Sequence, residues 1–290
     1  MKHLLVSAFF IVVIFTISFS NAYAQCSDGG VCSVGGHSLE QKSRSQLNIS
    51  ASYKFGSSGK DDDVKYHSFL LGAVYNIFEK TSVQMSIPYN IQSGALGGVS
   101  GIGDLIVSVN QNLFNDDKST LDASVGVKLA TGEDDEINLP MSYQPGLGSN
   151  DFIFALNYSY NQIGLGVGYQ LAGGRNENYI KLKRGDDLLV RASYNFLLDK
   201  FTITPQLLFI KRLGKSNTIN LLVMGPTESY IDVEKSDQTQ INLLTQVQYK
   251  INNNYSLFTD FAIPFIKREV NVDGLTRSFS ASLGIQFSIN

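Results

Sequence analysis

The feature that most constrains this chain is a two-residue alternation of apolar and polar side chains, repeated in segment after segment from residue 45 to the end. Leu47, Ile49, Ala51, Tyr53 and Phe55 alternate with Gln46, Asn48, Ser50, Ser52 and Lys54. Val83, Met85, Ile87, Tyr89 and Ile91 repeat the pattern, as do Phe152, Phe154, Leu156, Tyr158 and Tyr160. The cleanest run is the last: Phe279, Ala281, Leu283, Ile285, Phe287 and Ile289. A period of two is strand spacing and places one residue type on each face of a sheet. Twelve runs can be drawn, near 45–56, 64–78, 81–92, 103–114, 119–130, 151–161, 163–173, 186–197, 201–212, 239–251, 255–266 and 277–289. Most reach the roughly 9–11 residues that a tilted strand needs to cross a bilayer.

The connections alternate as well. Short turns fall at 79–80, 115–118, 161–162, 198–200 and 252–254, and long polar loops at 56–63, 93–102, 131–150, 174–185, 213–238 and 267–276. Short turns on one side and long loops on the other is the outer-membrane pattern, with the short turns periplasmic. A soluble sandwich or lipocalin-like barrel would spread charge over its polar face. Here that face is mainly Ser, Asn, Gln and Gly, in a chain only 17% charged. Aromatic residues stand near strand ends (Tyr53, Tyr75, Phe114, Tyr169, Tyr194, Phe201, Tyr249, Tyr255), as an interfacial girdle requires. The expected fold is all-β, a transmembrane antiparallel up-and-down barrel of about twelve strands over 45–290.

The start of the chain carries an address. Lys2 and His3 precede an apolar stretch through Phe19, and Ala22-Tyr23-Ala24 places small residues where a signal peptidase reads. Residues 1–24 are thus expected to be a cleaved signal peptide. Residues 25–44 become a periplasmic segment or a plug for the lumen. Cys26 and Cys32 are the only cysteines, and in an exported chain a small disulfide loop outweighs a metal site with His37. No cofactor and no metal is expected. Lys plus Arg is 23 against 26 for Asp plus Glu, which gives no basic footprint for nucleic acid.

Strand parity sends Lys54, Asp104, Asp122, Lys128, Asp151, Asp187, Arg191, Arg212, Lys250 and Asp260 into the lumen. Five acids balance five bases, so no strong ion selectivity follows. Gly164, Gly166 and Gly168 form a row on the same face, read as relief of curvature or as room for a plug or solute. The glycine-rich run 94–103 reads as a flexible loop, and the carboxylates at 61–63 and 133–136 as solvated loop charge. A barrel esterase would need His beside its nucleophile. His67 and Ser68 are adjacent and point to opposite faces, so no catalytic site is expected.

Three stretches carry a resemblance. Ser282, Gly284, Phe287 and Ile289 are similar to the C-terminal signal read by the bacterial barrel-assembly machinery, although the chain ends in Asn290 instead of an aromatic residue. Gly101-Ile102-Gly103-Asp104-Leu105, and Gln144 through Asp151 (QPGLGSND), resemble the outer-membrane channel family linked to meta-pathway phenol degradation. That resemblance implies a bacterial outer-membrane transporter of small, often aromatic, compounds. Outer-membrane lipid, the assembly machinery and a small-molecule solute are then the expected partners. The competing expectation is a non-conducting barrel that binds a partner through its long loops or its N-terminal segment.

Overall fold

The computed structural model describes residues 45–59, 63–136, 139–222 and 228–289. Signal peptide, N-terminal segment, Cys26, Cys32 and His37 lie outside the described residues. Twelve strands close into one antiparallel barrel. They are β1 (Leu47–Ser57), β2 (Lys65–Phe78), β3 (Thr81–Gly94), β4 (Leu105–Asn115), β5 (Ser119–Leu129) and β6 (Asp151–Tyr160). The second half is β7 (Ile163–Leu171), β8 (Asp187–Tyr194), β9 (Phe201–Arg212), β10 (Thr239–Lys250), β11 (Tyr255–Ile266) and β12 (Phe279–Ile289). Each strand pairs with its neighbours in sequence, and β1 closes on β12 from Leu47↔Ile289 to Ser57↔Phe279. All twelve periodic runs therefore become strands. Closure leaves no unpaired edge, which a lipid environment demands because nothing there can satisfy an open N–H or C=O.

Parity explains the sidedness. Phe69, Leu71, Phe152, Phe154, Leu156, Leu165 and Leu283 are exposed on the outer face. In water such a surface would be a liability; in hydrocarbon it is the solvated face. The aromatic residues collect at the rims. At the short-turn end Phe201 stacks near Tyr249 (centroids 4.7 Å apart), Tyr255 near Phe287 (4.8 Å) and Tyr194 near Phe196 (4.8 Å). The tight turns at that end use Asn161 and Asp199 at φ 51° and 50°, a left-handed conformation that Asn and Asp tolerate better than most residues.

Three departures from regularity have local causes. The β8–β9 ladder breaks after Ser193↔Gln206 and resumes at Phe196↔Ile203, because Pro205 has no N–H to give. Asn195 in the gap accepts a hydrogen bond from Thr204 Oγ1 (2.8 Å). Residues 94–103, expected as a loose loop, extend β3 into a hairpin in which Gly97–Ile102 pairs back on Tyr89 to Gly94. Gly97 turns that hairpin at φ 126°, outside the range of ordinary side chains. A second small hairpin pairs Asn217–Ile219 with Tyr230–Asp232 in the loop after β9.

Candidate functional site

Inside the barrel the alternation delivers hydroxyls and carboxamides. A cavity of about 340 Å³ runs from Asn48, Asn76 and Gln286 near the short-turn end to Ser142, Gln144 and Asp273 near the loop end. Its walls carry Ser50, Ser52, Ser86, Ser124, Gln206 and Gln246. Of the charged residues placed in the lumen by parity, Lys54, Asp104, Asp122, Arg191 and Asp260 line this cavity. Asp122 accepts from Asn112 Nδ2 (2.7 Å), and Asp260 from Gln246 Nε2 (3.0 Å) and Ser282 Oγ (2.7 Å). Lys250 stands exposed at the short-turn rim.

The remaining lumen charges are locked together at the loop end. Lys128 pairs with Asp151 (2.8 Å) and approaches Asp104 (3.8 Å). Arg212 pairs with Asp187 and Asp273, both at 2.9 Å. Arg184 bridges Asp151 (3.5 Å), Asp187 (3.2 Å) and Asp273 (3.7 Å), and Arg268 reaches Asp187 at 4.0 Å. Four acids and four bases thus form one buried network. Lys128 and Arg212 face inward as expected, yet as members of this network and not of the open wall. Burial pushes the Asp273 carboxyl up, and the guanidinium groups of Arg212, Arg268 and Arg184 outweigh it, holding Asp273 well below the usual carboxylate range. Asp104 goes the other way. Burial raises it above 3.8 despite Lys128 and the N–H donors of Leu147 and Gly132.

Above the network the connection from β5 to β6 folds inward, contrary to its expectation as an external loop. Its 3₁₀ turn Met141–Tyr143 is buried. Asp104 Oδ1 accepts from Gly132 N (3.2 Å) and Oδ2 from Leu147 N (2.9 Å). Asn90 Nδ2 donates to Pro145 O (2.7 Å) and Gln92 Nε2 to Gln144 O (3.2 Å). The two stretches that carried the channel-family resemblance therefore meet in space, with Asp104 of one holding Leu147 of the other. Gly103, Gly132 and Gly146 come together where no side chain fits: a Cβ on Gly132 would stand 2.8 Å from Gly146 Cα and 2.9 Å from Gly103 Cα. Tyr143 packs with Val64 and Tyr66, and Met141 and Leu147 with Leu182. Asp134, expected as a solvated carboxylate, is buried. It accepts from the backbone N–H groups of Glu177 (2.8 Å) and Asn178 (3.3 Å), joining two loops into one cap.

Strand parity did not reveal two further features. Arg184, Arg268 and Asp273 come from loops, where no period points a side chain anywhere. Inward-facing Ile106, Ile153, Ala155, Leu189, Leu208 and Ile210 form a small apolar core within the lumen, with Leu244 packed against it. Ile106 and Leu244 are the members of this group that also line the cavity. The glycine row of β7 makes room for neighbours across the ladder. A Cβ on Gly166 would lie 2.7 Å from Asn157 Oδ1, and one on Gly164 would collide with Ser193 Oγ. His67 Nδ1 meets Tyr53 Oη at 2.6 Å on the outer face, whereas Ser68 Oγ donates to Asn90 Oδ1 (2.7 Å) on the inner one. The two do not form a catalytic pair.

No family model matches the chain, and no curated protein matches it in sequence. Solved structures do match. An outer-membrane channel from Pseudomonas putida F1 superposes with a TM-score of 0.59 at 13% identity, covering 84% of this chain and 95% of that one. The NanC porin gives 0.48 at 12% identity over 84% and 99%. The toluene transporter TbuX of Ralstonia pickettii gives 0.46 at 11% over 90% and 92%. The likeness is one of fold. With the apolar outer face and the aromatic rims, it makes the chain a barrel of the bacterial outer membrane.

Proposed function

We propose that this barrel is a passive channel or facilitator for small solutes. The observation that carries the reading is the polar lining that continues from Asn48 and Gln286 at the short-turn end to the underside of the cap. A scaffold that used only its loops would have no need of such a lining. Hydroxyl and carboxamide walls exchange hydrogen bonds with a solute shedding water, and the charges among them (Lys54 and Arg191 against Asp104, Asp122 and Asp260) are mixed in sign, which suits small solutes without strong ion selectivity. Of the apolar cluster only Ile106 and Leu244 reach the cavity, so the wall offers a solute a small apolar contact set in a polar lining. Twelve strands lie between the roughly eight of filled barrels and the 16–18 of open porins, which suits a narrow passage. Outer-membrane lipid solvates the outward face, and the assembly machinery would insert the chain through the final strand.

The test is liposome swelling with the chain lacking residues 1–24, using neutral solutes of increasing size. Uptake should exceed that of empty liposomes and fall steeply with solute size. Absence of uptake by protein that shows heat-modifiable barrel migration would reject conduction and leave the binding scaffold.

A further inference from the structure

One lumen side chain has no structural partner of its own kind. Among the described residues lining the cavity, the aromatic ones are Tyr66, His67 and Phe258. Tyr66 lies under the Arg277 guanidinium (3.0 Å to its centroid) and packs with Tyr143, and the His67 ring is engaged by Tyr53 on the outer face. Phe258 belongs to none of the apolar clusters. It pairs with Gly284 across β11–β12, and its ring lies over that glycine. A Cβ built on Gly284 would collide with Cζ and stand 2.7 Å from both Cε1 and Cε2, which places it over the ring's face instead of off its edge. One face of the ring therefore rests on the wall. The half-exposed remainder is turned to the cavity.

The surroundings of that ring are strongly polar. Asp260 is two residues along the same strand, held by Gln246 and Ser282. Ser52 pairs with Gly284, and Lys54 with Ser282, on the adjoining β1. An aromatic face on a cavity wall that carries Asp260, Lys54 and Ser52 at neighbouring register positions fits a ligand with one apolar C–H face and a rim of hydroxyls. An aromatic solute would use the face and leave the rim without exchange, whereas an open-chain polyol would use the rim alone. We propose that Phe258, with Asp260, Lys54 and Ser52 around it, is a binding platform for a neutral pyranose ring. The proposal deepens the channel reading and rests on it for its role in transport.

Saturation-transfer NMR on the folded protein tests it, in a zwitterionic detergent without a sugar head group and with methyl β-glucoside, glycerol and phenol as probes. Binding is read in micelles, so a silent bilayer would refute conduction without touching this result, and the reverse also holds. The glucoside should receive saturation most strongly at the axial hydrogens of one ring face, and glycerol should receive none. Phe258→Tyr should keep the signal and Phe258→Ala should lose it. Gly284→Ala, which displaces the ring and leaves its chemistry intact, should lose it too. Glucoside transfer that is absent in the native chain, or unchanged in Phe258→Ala, would overturn the proposal. So would transfer to phenol without transfer to the glucoside.

Discussion

Gly132 and Gly146 face each other in the cap at a separation that admits no side chain: a Cβ on either would lie 2.7–2.8 Å from the other's Cα. The contact sits directly above Asp104, whose carboxylate accepts from Gly132 N and Leu147 N. The inward fold of residues 131–150 depends on this close approach. On the channel reading proposed above, the cap sets how much of the lumen a solute can cross.

Gly146→Ala should therefore loosen the cap and leave the barrel intact. Overpacking at such a contact costs about 1–3 kcal/mol, which moves a closed-to-open equilibrium by roughly 5- to 150-fold. Single-channel recordings should show more frequent openings. Gly174→Ala, where a Cβ meets nothing within 4 Å, should behave as the native chain.

The buried ion network makes a second demand. Asp273→Asn removes one carboxylate from among Arg212, Arg184 and Arg268 and leaves buried positive charge uncompensated. Such a loss costs about 3–5 kcal/mol, whereas replacing both partners by apolar groups costs far less. Asp273→Asn should open the channel at neutral pH. The pair Arg212→Met with Asp273→Leu should open it less than Asp273→Asn alone, measured by open probability.

Acid should act in two stages. Asp104 and Asp134 have folded values raised above 3.8, chiefly by burial, so the folded cap takes up protons before the unfolded one does. Stability contributed by such groups rises as pH falls through their folded values. Asp273 is depressed, so its contribution is complete above 3.8 and is lost only as pH falls below it toward the folded value. Open probability should not increase between pH 7 and about 4, and should increase below 3.8. Opening that begins near pH 6 would contradict this assignment of signs.

The lipid-facing assignment is tested by one substitution on each face. Leu156→Arg on the outer surface of β6 should cost about 2–4 kcal/mol, the penalty for a cation at the bilayer midplane. Gln206→Arg on the cavity wall should cost much less and should alter ion selectivity instead. Denaturant titration in vesicles separates the two.

Much of this architecture was legible in the sequence because a membrane barrel is written in a strict period. Each of the twelve alternating runs became a strand, and Lys54, Asp122, Arg191 and Asp260 face the cavity as their parity requires. What parity could not convey was anything arising from loops. Arg184, Arg268 and Asp273 complete the ion network from segments without a period, and the inward course of 131–150 is fixed by contacts such as Asn90 to Pro145 that link distant parts of the chain. The apolar core escaped for another reason. Ile153 and Leu189 sit on the polar face of their strands, and one or two inward apolar residues per strand resemble noise until the barrel closes and brings them together. Phe258 was hidden in the same way.

The central claim is that a solute path exists and that residues 131–150 limit it. Because Gly132 and Gly146 already touch, removing 133–145 would join them with little displacement of β5 and β6. Planar-bilayer recording of the native chain beside this deletion is the most direct test. Small discrete conductance steps in the native protein, and steps several-fold larger in the deletion, are the predicted result. Equal steps in the two, or silence from both in confirmed folded barrels, would contradict the account.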